Sequence, residues 1–191
     1  MPNQDLCYLP AIELAEAIRA RRLSPVELTT AILDRVAQLN PKLNAYCTVV
    51  PEAVLAAARQ AEAAVMHGEP LGPLHGIPVS FKDLTVTAGI RTTFGSKIFE
   101  HHVPKEDAVV VERIRRAGAI VLGKTNTPEF GCKGVTDNRI FGPTRNPWQP
   151  DRISEVPAAG RRPRWRRVWA RWRRAAIWRV PFAFPPVVMG L

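Results

Sequence analysis

Apolar side chains recur along this chain with two alternating periods. Residues 11–20 carry them at helical spacing, and so do Val26, Ile32, Leu33, Val36 and Leu39. Ser24-Pro25-Val26-Glu27 precedes that second run with the form of a capping box and a proline in the first turn, and Asn40-Pro41 is expected to end it. Residues 45–49 are short, apolar and β-prone and predict a strand. Pro51 opens an alanine-rich helix that should close near His67-Gly68. Residues 107–117 read as a helix and 119–122 as a buried strand, followed by a turn at Gly123-Lys124-Thr125-Asn126. Helices alternating with strands indicate a layered α/β sheet.

The strand that carries chemistry lies between these elements. In Gly72-Pro-Leu-His-Gly-Ile-Pro-Val-Ser-Phe-Lys-Asp83, apolar Ile77, Val79 and Phe81 alternate with Pro78, Ser80 and Lys82. That is the period of a strand with one buried face, punctuated at its start by Gly72, Pro73 and Gly76. Lys82 falls at the strand end, on the opposite side from the apolar set and next to Asp83. Shielded from water there, its amine would titrate below its ordinary value of about 10.4 and could serve as a base. The competing reading is a solvated Lys82-Asp83 pair.

Three downstream segments shift the balance: Gly89-Ile-Arg-Thr-Thr-Phe-Gly-Ser96, Gly118-Ala-Ile-Val-Leu-Gly-Lys-Thr-Asn-Thr-Pro-Glu-Phe-Gly131 and Asn138-Arg-Ile-Phe-Gly-Pro-Thr-Arg-Asn-Pro-Trp148. In this order and spacing, with the Lys82 strand, they resemble the amidase signature family over about residues 23–152. The resemblance implies an α/β/α layered fold with a mixed central sheet and a helical N-terminus, of which residues 1–154 would be an incomplete N-terminal part. It implies hydrolysis or transfer of small or aryl carboxamides, with Lys82 as the base that deprotonates a bridging serine in a cis peptide, which in turn activates a nucleophilic serine. Backbone N–H groups of a glycine-rich turn would hold the oxyanion. It places Lys124 and Asn126 in the wall of the substrate channel and gives Glu129 and Phe130 packing or loop-fixing roles. Residues 141–148 would orient the catalytic loops. Gly123-Lys124-Thr125-Asn126 lacks the spaced upstream glycine of a phosphate loop. The glutaminase subunit of a tRNA-dependent amidotransferase shares the same core and is the alternative reading.

The family's two serines lie in a Gly-Gly-Ser-Ser-Gly-Gly run after Asn-Pro-Trp and in a later Gly-Ser-Ile-Arg run. Neither run is present. The serines of this chain are Ser24, Ser80, Ser96 and Ser154, and none lies in such a run. Composition also changes after Ser154. Residues 155–191 hold nine arginines, no lysine, a single acid (Glu155) and four of the five tryptophans. The formal charge of +10 belongs to this tail, because the first 154 residues carry 18 basic and 16 acidic side chains.

Two origins compete for the tail. As a genuine segment, Trp165, Trp169 and Trp172 would share one helix face among arginines, a pattern suited to a nucleic-acid backbone or a membrane surface. As an out-of-frame translation, each residue is read from the third base of one codon and the first two of the next. Alanine then becomes Ser, Gly, Cys or Arg, and tryptophan becomes Leu, Met or Val. From Ser154 onward this permits Gly-Gly-Ser-Ser-Gly-Gly-Ala-Ala-Ala-Ala-Val, and later Gly-Ser-Ile-Arg-Val-Pro. The frameshift is the stronger expectation, and the tail is then a disordered artefact and the chain an inactive piece of an amidase.

Length allows one domain. Cys7, Cys47 and Cys132 are odd in number without a C-x-x-C spacing, and His67, His75, His101 and His102 show no ligand pattern. No metal or organic cofactor is implied. The start Met1-Pro-Asn-Gln-Asp-Leu6 lacks the basic and apolar regions of a signal peptide, and no apolar run is long enough to span a membrane, so a reducing cytoplasm is expected. The implied partner is a small amide. A homodimer is compatible with the sequence, and no nucleic-acid or membrane partner is expected unless the Arg/Trp tail is genuine.

Overall fold

The structure is a computed structural model that describes residues 5–154. The Arg/Trp tail at 155–191, with every expectation attached to it, lies outside the described residues.

Among the described residues, four α-helices and two small sheets form the frame: α1 (Ala11–Arg19), α2 (Pro25–Leu43), β1 (Tyr46–Val49), α3 (Pro51–His67), β2 (Pro78–Lys82), α4 (Val109–Arg116), β3 (Ile120–Thr125), β4 (Arg145–Asn146) and β5 (Gln149–Ile153). The main sheet is mixed, in the order β1-β3-β2. β1 runs antiparallel to β3, and β2 runs parallel to it. The parallel pair is joined by a crossover that contains α4, as a parallel pair requires.

Both faces of this sheet are covered. On one side Ile120 and Leu122 join Leu14, Ile18, Leu28, Ile32, Val54 and Ala58 of the first three helices in the larger core. On the other, Val121 and Phe81 meet Ile90 and Val111 in a smaller one. Alternate residues of β3 thus serve opposite layers, which gives the expected α/β/α arrangement.

Ser24 caps α2, its Oγ accepting from Val26 N at 2.9 Å and Glu27 N at 3.3 Å. Its own proton goes across to Glu62 Oε1 of α3 at 2.5 Å, so the cap also ties two helices together. α2 continues past Asn40-Pro41 to Leu43, beyond the expected stop. Pro41 lies in the last turn, where the lost N–H breaks only one bond, and Asn44 ends the helix in the left-handed conformation with its N–H on Asn40 O at 2.7 Å.

The expected turn after residue 122 is instead strand. β3 runs on through Gly123 and Lys124 to Thr125 because neighbours pair with it on both sides. Gly123 makes this geometry fit: its φ is 148°, and a Cβ there would stand 2.1 Å from Thr48 O of β1. β2 also differs from the one-faced strand expected. Pro78, Ser80, Phe81 and Lys82 are all buried, because helices cover one face and the loop after Lys82 covers the other. The hairpin β4–β5 was not foreshadowed by any alternation, and its second strand is exposed throughout.

Candidate active site

Lys82 ends β2 and is 9% exposed. Among the described residues its amine has no hydrogen-bond or ion-pair partner. Burial moves its pKa below the ordinary lysine value. The solvated Lys82-Asp83 pair is therefore not what forms. Asp83 is fully buried and turned to other partners, accepting from Thr93 N at 3.1 Å and Thr93 Oγ1 at 2.5 Å. Burial raises its pKa, against the opposing pull of the Thr93 donors, the Lys124 charge and Gly95. Thr93 Oγ1 also accepts from Gly95 N at 3.0 Å, so one carboxylate closes the loop that leaves β2.

Lys124, on β3, is fully buried. Its Nζ donates to Thr85 O and, at 2.9 Å, to Thr87 Oγ1. The pKa is lowered to about 8 by burial, with Asp83, Cys47 and Asp107 opposing. Two ionisable side chains thus hold the segment after Lys82 from opposite sides: Asp83 its far end at Thr93, Lys124 its near end at Thr85 and Thr87. Asp107 adds a third tether, accepting from Ala88 N at 2.6 Å while pairing with Arg115 Nε at 3.0 Å.

Asn126 follows β3 and is 4% exposed. Its Nδ2 donates to Gly142 O and Thr144 Oγ1, each at 3.0 Å, and its Oδ1 accepts from Asn138 Nδ2 at 2.7 Å and Thr127 N at 2.9 Å. Asn138 Nδ2 also reaches Thr127 O at 2.7 Å, and Asn44 Nδ2 reaches Phe141 O at 2.6 Å. Lys82, Lys124 and Asn126 therefore share the C-terminal end of the parallel pair β2–β3, where loops carry function in sheets of this kind. Of the three, Lys82 alone has a polar head uncommitted among the described residues.

Asp83, Thr93, Asn44 and Asn138 were not anticipated as part of this cluster. Asp83 was signalled by adjacency to Lys82, but Asn44 lies 97 residues from its Phe141 partner, a link no local spacing encodes. Among the described residues no group of His, Cys, Asp and Glu is arranged to hold a metal ion, and the three cysteines are free. A groove of roughly 670 Å³ between α2 and α3, bordered by Asp34, Asn40 and Leu55, reaches this cluster at Asn44 and includes none of Lys82, Lys124 and Asn126.

The model of the Amidase family matches residues 27–157, a stretch that spans the Lys82 strand, the Asp83 loop and the Asn126 clip. The chain belongs to the amidase signature family. The match ends within three residues of Ser154, where the composition changes. The glutamyl-tRNA(Gln) amidotransferase subunit of this family from Carboxydothermus hydrogenoformans is 47% identical over 82% of this chain and 32% of its own length. An acylamidase from Rhodococcus erythropolis is 45% identical over 78% of the chain and 31% of its own length. Among solved structures, a bacterial aryl acylamidase of the amidase signature family superposes with a TM-score of 0.73 at 30% identity, covering 78% of this chain and 32% of that one. A peptide amidase from Stenotrophomonas maltophilia does so with 0.67 at 35% identity, covering 73% and 30%. The amidase fold expected from the motifs is thus found, and the chain spans about a third of the length of the relatives it matches. Among the described residues no helix is long and apolar enough to cross a membrane.

Proposed function

We propose that this chain carries the lysine-bearing third of an amidase that hydrolyses carboxamides to acid and ammonia or amine. The observation that carries this is the Lys82 amine: buried, shifted towards the neutral form, and without a partner among the described residues. A lysine in that state is suited to accept a proton. In the reaction it takes the proton of a bridging serine, which relays it from a nucleophilic serine. That second serine attacks the amide carbon, the amine leaves with a proton, and water cleaves the acyl-enzyme.

Both serines belong to the segment that follows Ser154 in the alternate frame. The proposal therefore includes a shift of reading frame near Ser154, which makes the 191-residue chain inactive. Restoring the frame tests both parts. The restored protein should hydrolyse simple carboxamides, the 191-residue chain should not, and Lys82→Met should lower kcat/KM of the restored protein by about 10²–10⁴-fold. Stop codons filling the alternate frame, or a Lys82→Met enzyme that works normally, would overturn it.

The second reading is the glutaminase-type component of a tRNA-dependent amidotransferase. The 47–48% identity to the corresponding chains of two glutamyl-tRNA(Gln) amidotransferases favours it. It requires stable partner chains, so affinity purification of the frame-restored protein from its own cells decides: co-purifying partners support it, an isolated active amidase excludes it. A cytoplasmic location is part of both readings.

A further inference from the structure

The face of β2 that carries Lys82 also carries a buried hydroxyl pair. Ser80 Oγ and Tyr46 Oη lie 2.8 Å apart, with Ser80 6% and Tyr46 5% exposed. Successive side chains of a strand point to opposite sides, so Ser80 and Lys82, two residues apart, share one face of β2. The ladder brings Tyr46 to the same place: Tyr46 pairs with Thr125 across β1–β3, and Lys82 pairs with Thr125 across β2–β3. Tyr46 belongs to the larger core under the first three helices, whereas Phe81 and its register partner Lys124 face the smaller one.

Tyr46 is itself firmly held. Asn40 grips its backbone twice, Oδ1 accepting from Tyr46 N at 2.7 Å and Nδ2 donating to Tyr46 O at 3.0 Å. From there the side chain crosses β3 to reach β2, at a row where β3 offers Gly123 and no side chain. Burial raises the pKa of the phenol, so it stays a neutral hydroxyl. A serine hydroxyl can occupy three staggered positions, and the bond to Tyr46 fixes which one Ser80 takes. The next side chain on this face is Lys82, long enough to bend back over the roughly 6.6 Å between alternate residues of a strand. Its amine has no partner among the described residues, while the Ser80 hydroxyl beside it is already engaged.

We propose that Tyr46 is a positioning residue for Lys82: by holding the Ser80 hydroxyl it denies the neighbouring amine an acceptor and so keeps that amine available as a base. The inference rests on the amidase reading for the use made of the base. An amine that donates to a fixed hydroxyl is favoured in its charged form, and it must lose that charge before it can take a proton. The pair therefore does for Lys82 the opposite of what Thr85 and Thr87 do for Lys124, whose Nζ they receive.

Lysine ε-carbon NMR titration of the full 191-residue chain tests this. The Lys82 signal is identified by its loss in Lys82→Met. Tyr46→Phe keeps the ring and frees Ser80, so the Lys82 midpoint should rise by about half a pH unit or more. Adding Ser80→Ala to Tyr46→Phe removes the freed acceptor and should return the midpoint to its parent position. A bond that served the fold alone would change unfolding without moving Lys82 up and then back. Lys124, on the opposite face, should keep its midpoint of about 8 throughout. A parent Lys82 that titrates at the ordinary lysine value, an unmoved midpoint in Tyr46→Phe, a double variant that stays raised, or Lys82 and Lys124 moving together would overturn the proposal. Absent turnover in the frame-restored protein sinks the amidase reading only, and an unmoved Lys82 midpoint in Tyr46→Phe sinks the positioning role only.

Discussion

Two buried lysines lie on adjacent strands, one register position apart, with opposite assignments. Lys82 pairs with Thr125 and Phe81 with Lys124 across the parallel ladder. Among the described residues one strand ends with an amine that has nothing to hold, while the other spends its amine on Thr85 and Thr87. The Lys124 pKa of about 8 has a definite consequence for stability. Between about pH 8 and the unfolded value near 10.4, the unfolded chain binds more protons at this site than the folded one, so stability rises with pH across that window. Below about pH 8 both states are protonated and the full cost of burying the charge is felt. Urea midpoints at about pH 7.5 and pH 10 should therefore differ more in the parent chain than in Lys124→Met, which has no proton to lose there. An equal shift in both would show that other groups set the pH response. Lys82 was legible in the sequence, since its strand period and the Asp83 beside it pointed to a lysine at a sheet end. That Asp83 would turn inward to Thr93 was not, because a dipeptide carries no record of which neighbour the loop will bring back.

At the scale of elements, every helix and strand of the main body was readable to within a few residues, and the exceptions share one cause. α2 outran Pro41, and β3 outran residue 122, where neighbouring segments supplied bonds that local propensity could not show. Gly123 reads locally as a breaker, yet it sits in a central strand because β1 lies too close for any side chain. Gly123→Ala should cost about 2–4 kcal/mol, as the strand must move away from Thr48 or the φ of 148° must change. Chemical denaturation measures the loss, and hydrogen exchange should place it in the β1–β3 ladder. A loss below about 0.5 kcal/mol would mean that β1 yields freely. The β4–β5 hairpin escaped the sequence because Gln149, Pro150, Asp151 and Arg152 bury nothing and so leave no apolar period.

Across the molecule, one asparagine gathers remote segments. Asn126 joins the end of β3 to Gly142, Thr144 and Asn138, while Thr144 Oγ1 donates to Asn44 O at 2.7 Å, a hundred residues back in the chain. Asn126→Leu removes one acceptor and one donor group and leaves Asn138 and the Gly142 carbonyl short of partners. A cost of about 2–3 kcal/mol is expected. Amide exchange should accelerate across residues 138–154 while α1–α3 stay protected, and uniform loss of protection would show that the clip supports the whole body instead. Lys82 is held differently: among the described residues its amine has no hydrogen-bond or ion-pair partner, and burial favours its neutral form. Such a group is a nucleophile in its own right. A reactive ester or aldehyde passing over this surface meets Lys97 and Lys105 standing in open water, whereas at Lys82 burial lowers the pKa of the amine. In the proposed amidase, the feature suited to cleaving amides is thus also one at which an amide can form.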